Sequence, residues 1–403
     1  MCGNRRAWSR CIDKNDLSAP GLAIVVNRTI RGIPRTEWDS CFPGDPEGWA
    51  YYRAIEESGL AAFSWVYFLA RERERVVAMV PAFIADYNLD TAIQGASRTA
   101  LQPLLRRLKK LLTLRMLCLG SPLADKCHLG FAPDLADSRR REVVGRLLSS
   151  VDAFGAAHGI GLIAAKDVVD ANLDHGADAT FAAAGFTRQP GLPNTILALP
   201  HGGEDAYLKA LSHTARRDVR RKLKTGDQVR IERRHGREAL DLVPEIVRLY
   251  EGQRDRSRFD FGQFETLTPA YFRQVLVEQG QAAVVFLYLH GGQLLGFNLC
   301  YHTDRLFIDK FVGFKPPLSR ALNLYVLSWM TNVRYCLARG IPFLQTGQTA
   351  YAMKLHLGAK LRPNWIFFRH RNPILNAVLR LAGPILAADR YDDDLARPSR
   401  DMP

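Results

Sequence analysis

From Ser138 the chain reads SRRREVVGRLLSSVDAFGAAHGIGLIAAKDV, and its apolar side chains recur three and four residues apart at Val144, Leu147, Leu148 and Val151. That spacing predicts a helix with one buried side. From Ser319 the arrangement returns without a gap as SRALNLYVLSWMTNVRYCLARGIPFLQTGQT, with Leu324, Leu327, Val333 and Leu337 forming the stripe. Each helix is predicted to stop at a glycine, Gly159 or Gly340, because glycine takes the left-handed conformation that ends a helix without steric penalty. A Gly-Ile step then leads each copy into a short apolar strand.

A second matched pair lies upstream, FLARERERVVAMVPAF from Phe68 and FLYLHGGQLLGFNLCY from Phe286. Each reads as two strands joined by a tight turn, charged in one copy and Gly-Gly in the other. Two copies of strand, turn, strand, connection, helix and strand predict two similar α/β domains. We expect an N-terminal extension over 1–28, a first domain over 29–200, a second over 201–370, and an amphipathic helix with a disordered tail over 371–403. Between hairpin and helix the first copy is about 37 residues longer. The excess includes TALQPLLRRLKKLLTLR, a basic amphipathic helix expected over about 98–115, which suits either packing on its own domain or lying on an anionic membrane.

The chain has 403 residues, enough for two ordinary domains, and a formal net charge of +14, which biases its partners towards anions. Its seven cysteines lack the paired spacing of a disulfide scaffold, so a reducing compartment fits best. Cys118, Cys127 and His128 form the one cluster resembling metal ligands, but eight residues between the cysteines suits no zinc ribbon, and no metal is expected. With no apolar leader and no segment long enough to span a bilayer, the expected location is the cytoplasm, with peripheral contact at the inner face of the membrane as an added option.

Charge concentrates in LSHTARRDVRRKLK, residues 211 to 224. Leu211, Ala215, Val219 and Leu223 make a narrow apolar stripe, while Arg216, Arg220 and Lys224 fall in one row and Arg217 and Arg221 in another. Such rows can grip successive phosphates, or can form a solvated basic face paired to nearby acids such as Glu204 and Asp205.

The doubled unit, bridged by this basic helix, resembles the GNAT-superfamily acyltransferases of the double-domain FemAB-like kind over about residues 35 to 370. Three stretches carry the resemblance: GFTRQPGLPNTILALP, similar to a Gly-Phe entry into the last hairpin of a first domain; YLKALSHTARRDVRRKLK; and LQTGQTAYAMKLHLGAKL, with Gly347, Tyr351, Lys354 and Gly358 at the matching positions. It implies tandem domains, each with a mixed, largely antiparallel sheet flanked by helices. It also implies acyl transfer to an amine acceptor, with no tightly bound cofactor and with acyl-CoA, an acyl carrier protein or aminoacyl-tRNA as co-substrate; the alternative it offers is an aminoacyl-tRNA-dependent transferase of the FemAB type acting on a cell-wall precursor. The donor's phosphates would then meet Arg216, Arg217, Arg220, Arg221, Ser319 and Arg320. In ordinary relatives a glycine-rich loop cradles the CoA pyrophosphate with backbone amides. Here that junction reads GFKPPLSRALNL in the second copy and FAPDLADSRRREV in the first, and neither has the glycines.

Acyl transfer needs a base to keep the amine neutral and donors for the oxyanion and leaving group. In RLFIDKFVGF, strand alternation sets Asp309 between Phe307 and Phe311, where desolvation raises a carboxyl towards a base's working range; a surface ion pair with Lys310 is the alternative. Tyr351 and Lys354, three apart after the strand PFLQTG, are expected to share a helix face and offer a hydroxyl and a charge to the substrate, or else a core tyrosine and a solvated lysine. Gln345 and Gln348 flank Gly347 and can orient an amide-bearing substrate. The first copy has FAAAGF in place of the Tyr-Lys pair, so chemistry is assigned to the second domain and a structural or acceptor-binding part to the first. A non-catalytic nucleic-acid or membrane-surface binder, using the arginine rows and the leucine-lysine helix, is the competing expectation.

Overall fold

The computed structural model describes residues 21–88, 113–170, 177–257 and 262–386. The expected amphipathic segment falls mainly on 89–112, outside the described residues, as do most of the N-terminal extension and the tail beyond 386. The first half contains β1 (Leu22–Asn27), β2 (Ser64–Glu72), β3 (Arg75–Asn88), β4 (Thr113–Leu119), β5 (Gly130–Phe131), β6 (Leu162–Val169), β7 (Thr187–Pro190) and β8 (Asn194–Ala198). The second contains β9 (Arg230–His235), β10 (Ala283–His290), β11 (Gln293–His302), β12 (Leu306–Phe314), β13 (Phe343–Gln345), β14 (Lys360–Arg362) and β15 (Asn364–His370).

Both expected hairpins form. β2 pairs antiparallel with β3 and β10 with β11, and the second turn uses Gly291 and Gly292, both left-handed at φ 55 and 76. Two consecutive positive φ values are what a two-residue turn needs to match the twist of its strands. The repeated helices are α3 (Asp137–Ala157) and, later in the chain, α10 (Leu324–Arg339), and Gly159 and Gly340 follow them at φ 65 and 67. The second repeat does not form one helix from Ser319. A single turn, α9 (Leu318–Ala321), is separated from α10 by Asn323, whose φ of 52 breaks the run.

The strands form two sheets with a reciprocal exchange. The first runs β1-β2-β3-β4-β6-β15-β7, with β5 added on β3, and the second runs β14-β8-β13-β12-β11-β10-β9. The expected closing hairpin of the first half is therefore absent. β7 stays in the first sheet, while β8 crosses to lie between β13 and β14. β15, from the end of the chain, returns to fill the place between β6 and β7.

Alternation along the strands divides the apolar residues among three cores. Tyr67 and Leu69 of β2 and Val285 and Leu287 of β10 point to a middle layer, with α1 (Arg35–Cys41), α2 (Trp49–Glu57), α7 (Val243–Arg254) and α8 (Pro269–Gln279) between the sheets. Val66 and Phe68 point instead to α3, and Val284 and Phe286 to α10. The basic stretch divides into α5 (Gly203–Ala210) and α6 (His213–Gly226), separated at Ser212, whose side chain accepts the Ala215 amide at 3.2 Å and caps α6. Leu211, Ala215 and Val219 are buried against the core containing α10, as the stripe predicted.

Candidate active site at the fork of the second sheet

β12 and β13 are parallel neighbours for three pairs, Leu306 with Phe343, Phe307 with Leu344 and Ile308 with Gln345. β12 then continues to Phe314 while β13 stops, and the two chains part. A cavity of about 640 Å3 occupies this fork and continues between the two sheets. That volume is within the range of small-molecule sites. Asp309, Tyr325, Ser328, Trp329, Lys354 and residues 346–350 line its fork end.

Asp309 does not lie between two phenylalanines on one face. Across from it, Cys300 pairs with Asp309 and Leu299 with Phe311, so Lys310 is an extra residue in a bulge. The bulge breaks the alternation. Asp309 turns to α10, where Asn332 Nδ2 donates to its Oδ2 at 3.1 Å, and Asn298 Nδ2 in turn donates to Asn332 Oδ1 at 3.2 Å and Ser328 Oγ at 3.1 Å. Phe311 packs instead with Tyr250, Tyr271 and Phe272 of the middle layer. Burial pushes the Asp309 carboxyl up to about 6, against the opposing effects of the Lys354 charge and of hydrogen bonds from Asn298 and Asn332.

Lys310 takes no part in an ion pair with Asp309. Its ammonium meets Glu47 Oε1 at 2.7 Å, with side chains 3% and 1% exposed, and also donates to the Leu123 carbonyl. The bulged strand is thereby tied to the loop before α2, and Thr303 Oγ1 ties the β11–β12 turn to the Gly44 carbonyl at 3.0 Å. A buried pair of this kind fixes geometry more than it adds stability.

Tyr351 and Lys354 share the buried face of α11 (Tyr351–His356), but neither presents a free polar group to the cavity in the way the sequence suggested. The Tyr351 hydroxyl donates to the Pro193 carbonyl at 2.9 Å, and the residue does not line the cavity. Lys354 reaches the lining, yet its ammonium donates to the carbonyls of Thr346, Gly347 and Gln348. It clamps the loop that follows β13, and its charge is felt by Asp309. Gly347, Thr349 and Ala350 in this loop have φ of 65, 68 and 53. For the two residues with a Cβ this is a strained conformation, of the kind that persists only where surrounding contacts impose it. Thr195 of the exchanged β8 supplies such contacts, meeting Thr346 Oγ1 at 2.7 Å and donating to the Gly347 carbonyl at 2.8 Å.

The two glutamines separate. Gln345 is buried on β13 outside the cavity lining, whereas Gln348 lines it and donates to Asp167 Oδ1 and to the Leu192 carbonyl, both at 3.0 Å. The residues expected to meet the donor's phosphates lie away from this cavity. Arg216, Arg217, Arg220 and Arg221 lie on α6 and none lines the cavity; Arg221 pairs with Asp218 at 2.6 Å. Ser319 is buried, Arg320 is exposed, and neither lines it. The amides of Ser319, Arg320, Ala321, Leu322 and Asn323 already donate within their own turn, so they are not available to cradle a pyrophosphate. Among the described residues, Arg254, at the end of α7, is the arginine that lines the cavity.

Laid over one another, the two repeats differ at the fork in the residues that line it. Tyr325, Ser328 and Trp329 correspond to Val144, Leu147 and Leu148. Ile308 pairs with Gln345 as Cys118 pairs with Ala164, the residue that corresponds to Gln345, so Asp309 corresponds to Leu119. The first fork, lined by Leu119, Val144, Leu147 and Leu148, encloses only about 10 Å3. That is room for little more than a water, in wholly apolar surroundings. Sequence reading missed Tyr325, although the same overlay marks it as a polar residue replacing a core valine. It missed Asp167 too, which corresponds to Gln348 and touches it. Asp167 is left-handed at φ 56 and pairs with Lys166, whose ammonium also donates to the Ala124 carbonyl at 2.9 Å.

Residues 213–355, from the start of α6 into α11, match the model of the acetyltransferase (GNAT) domain family. The matched segment contains the whole second fork. Among solved structures, FemX is 14% identical, with 89% of this chain and 100% of that one covered and a TM-score of 0.57. A tandem GNAT protein from the clavulanic acid biosynthesis pathway is 14% identical, with 87% and 99% covered and a TM-score of 0.51. At this identity both are likenesses of fold, and they extend over both sheets. A search of the curated proteins found no match.

Proposed function

Proceeding from a GNAT acetyltransferase domain at residues 213–355, we propose that the protein is an N-acyltransferase that passes an acyl group from a thioester of the acyl-CoA class to an amine, with Asp309 as the base. The observation that carries this reading is the contrast between the forks. The same architecture is filled with Leu119, Val144, Leu147 and Leu148 in one domain and opens on Asp309, Tyr325, Ser328 and Trp329 in the other.

The donor thioester lies in the gap between β12 and β13, with the acceptor amine beside Asp309. The carboxylate takes a proton from the amine as its nitrogen attacks the thioester carbon, so an N–C bond forms and the C–S bond breaks. A carboxyl near 6 is ionised at neutral pH and still basic enough for this transfer. Tyr325 is the proton donor to the departing thiolate, in the place the sequence suggested for Tyr351. Burial and the neighbouring Asp309 charge raise its hydroxyl above the ordinary phenol range, so it is protonated in the resting site, and after giving its proton to sulfur it recovers one from the protonated Asp309. Lys354 and Thr195 hold the strained loop against which the acyl carbonyl rests.

The test is release of free thiol from acetyl-CoA and longer acyl-CoA by the purified protein across a panel of amines, with an acyl carrier thioester and an aminoacyl-tRNA as rival donors. Amine-dependent thiol release from acyl-CoA is expected. Consumption of only the carrier thioester or only the aminoacyl-tRNA would replace the donor class, and consumption of none would remove the enzyme reading.

A further inference from the structure

Beyond the fork the cavity continues over the inner face of the first sheet, and this part differs in chemistry from the catalytic end. Its floor is Met116, Cys118, Leu162, Ala164 and Phe368, from β4, β6 and β15, with Phe83 of β3 alongside. Met116 faces Leu162 and Cys118 faces Ala164 across the parallel pair β4–β6. The second of these pairs is small, so the floor is lowest there. Elsewhere the same face carries Tyr67 and Leu69 packed into the middle layer. Among the described residues that helical cover gives way over the small pair to the cavity, which Phe264 and, from α12 (Pro373–Leu386), Leu379 and Gly383 also line.

Protein interiors are packed to the density of organic crystals, and a cavity of about 640 Å3 is a departure from that packing. The Cys118 thiol, pushed up to about 12 chiefly by burial, has no reactivity to offer there. Asp309 and Lys354 stand at the fork end of the same continuous cavity, and Lys166, Asp167, Arg254 and Glu265 are among the other charged side chains that line it. A ligand that fills it therefore has a polar reacting end and an apolar tail.

We propose that the compartment over Cys118 and Ala164 binds a hydrocarbon chain carried by one of the two substrates, whose reacting group then sits at Asp309. The inference rests on the acyl-transfer reading for the reacting end alone. The chain belongs either to the acyl donor, as a long acyl thioester, or to the acceptor, as an amphipathic amine.

Calorimetric titration of the full chain separates the two sources without relying on turnover. One series is acyl-CoA from acetyl to lauroyl, and the other is linear alkylamines from butyl to dodecyl, kept below their micelle concentrations. Burying a methylene gives about 0.8 kcal/mol, so affinity is expected to rise about fourfold per methylene in the series that carries the chain and to stay flat in the other. Ala164→Phe, which fills the compartment, is expected to remove at least tenfold of that gain while the protein keeps its circular dichroism and melting temperature; Cys118→Met serves if that variant does not fold. Two flat series, or a chain-length gain that survives the filling variant, overturn the proposal. Chain binding without thiol release supports the compartment and sinks the acyl-transfer reading, whereas thiol release with two flat series does the reverse.

Discussion

Replacing Asp309 by Asn keeps the shape of the side chain and its place beside Asn332 but removes the base. General-base catalysis is worth about a hundredfold to ten thousandfold, so kcat/KM at pH 8 should fall by that order. The same carboxyl weighs on stability with the opposite sign. Its folded value of about 6 lies above the ordinary 3.8, so the native state holds this proton more tightly than the unfolded chain does. The penalty is absent below about pH 4, grows between 4 and 6, and reaches roughly 3 kcal/mol above pH 6, at 1.36 kcal/mol per pH unit. Asn escapes it, so Asp309→Asn should be at least as stable as the parent at pH 8 and lose any advantage at pH 4. The assay pairs a pH profile of kcat/KM with denaturant melts at both pH values. The parent profile should fall with unit slope below pH 6, and the variant's should not. A variant that is inactive and several kcal/mol less stable at pH 8 would mean that Asp309 is a structural partner of Asn332 and would refute the reasoning.

Lys354→Met should loosen the loop at 346–350 and lower kcat/KM by about tenfold to a hundredfold, and loss of the nearby positive charge should move the acid limb of the pH profile above 6; an unmoved limb would detach Lys354 from Asp309. Glu47→Gln leaves the Lys310 ammonium buried beside a neutral partner and should destabilise the protein by about 3–5 kcal/mol in thermal and denaturant melts, with Glu47→Leu combined with Lys310→Met recovering most of it; a loss under about 1 kcal/mol would show the pair to be hydrated. Arg217→Ala with Arg221→Ala should change the KM for a short acyl-CoA by less than about threefold, since neither side chain lines the cavity, and a rise of tenfold or more would return these arginines to the donor site.

What could be read along the chain was whatever depends on neighbours in sequence. Helix ends at Gly159 and Gly340, the Gly291–Gly292 turn, the stripe on α6 and the doubled unit itself all follow from local spacing and backbone conformation. The likeness to tandem GNAT acyltransferases was legible in the same way, through the order of short stretches. Strand partners were not, because a period of two says which face a residue takes and nothing about which strand lies alongside. The exchange of β8 and β15 between sheets is invisible for that reason. One extra residue at Lys310 then moved Phe311 to the opposite face and left Asp309 with Asn332 and Asn298, residues distant in sequence. Asp309 was singled out by residue type and setting as a buried carboxyl, while the groups that surround it came from other elements. Tyr351 and Lys354 were read correctly as sharing a face, but a helix face gives no information about the carbonyls of Pro193 and residues 346–348 that it meets.

If the second fork joins an acyl group to an amine, the product is an amide that keeps the donor's acyl carbon. The most direct measurement is mass spectrometry of the amines in a cell extract after incubation with the protein and acyl-CoA labelled with carbon-13 in the acyl group. A labelled amide should grow with time in the presence of the parent protein and fall at least a hundredfold with Asp309→Asn. Labelled free acid without labelled amide, or an amide that forms equally with the variant, would contradict it.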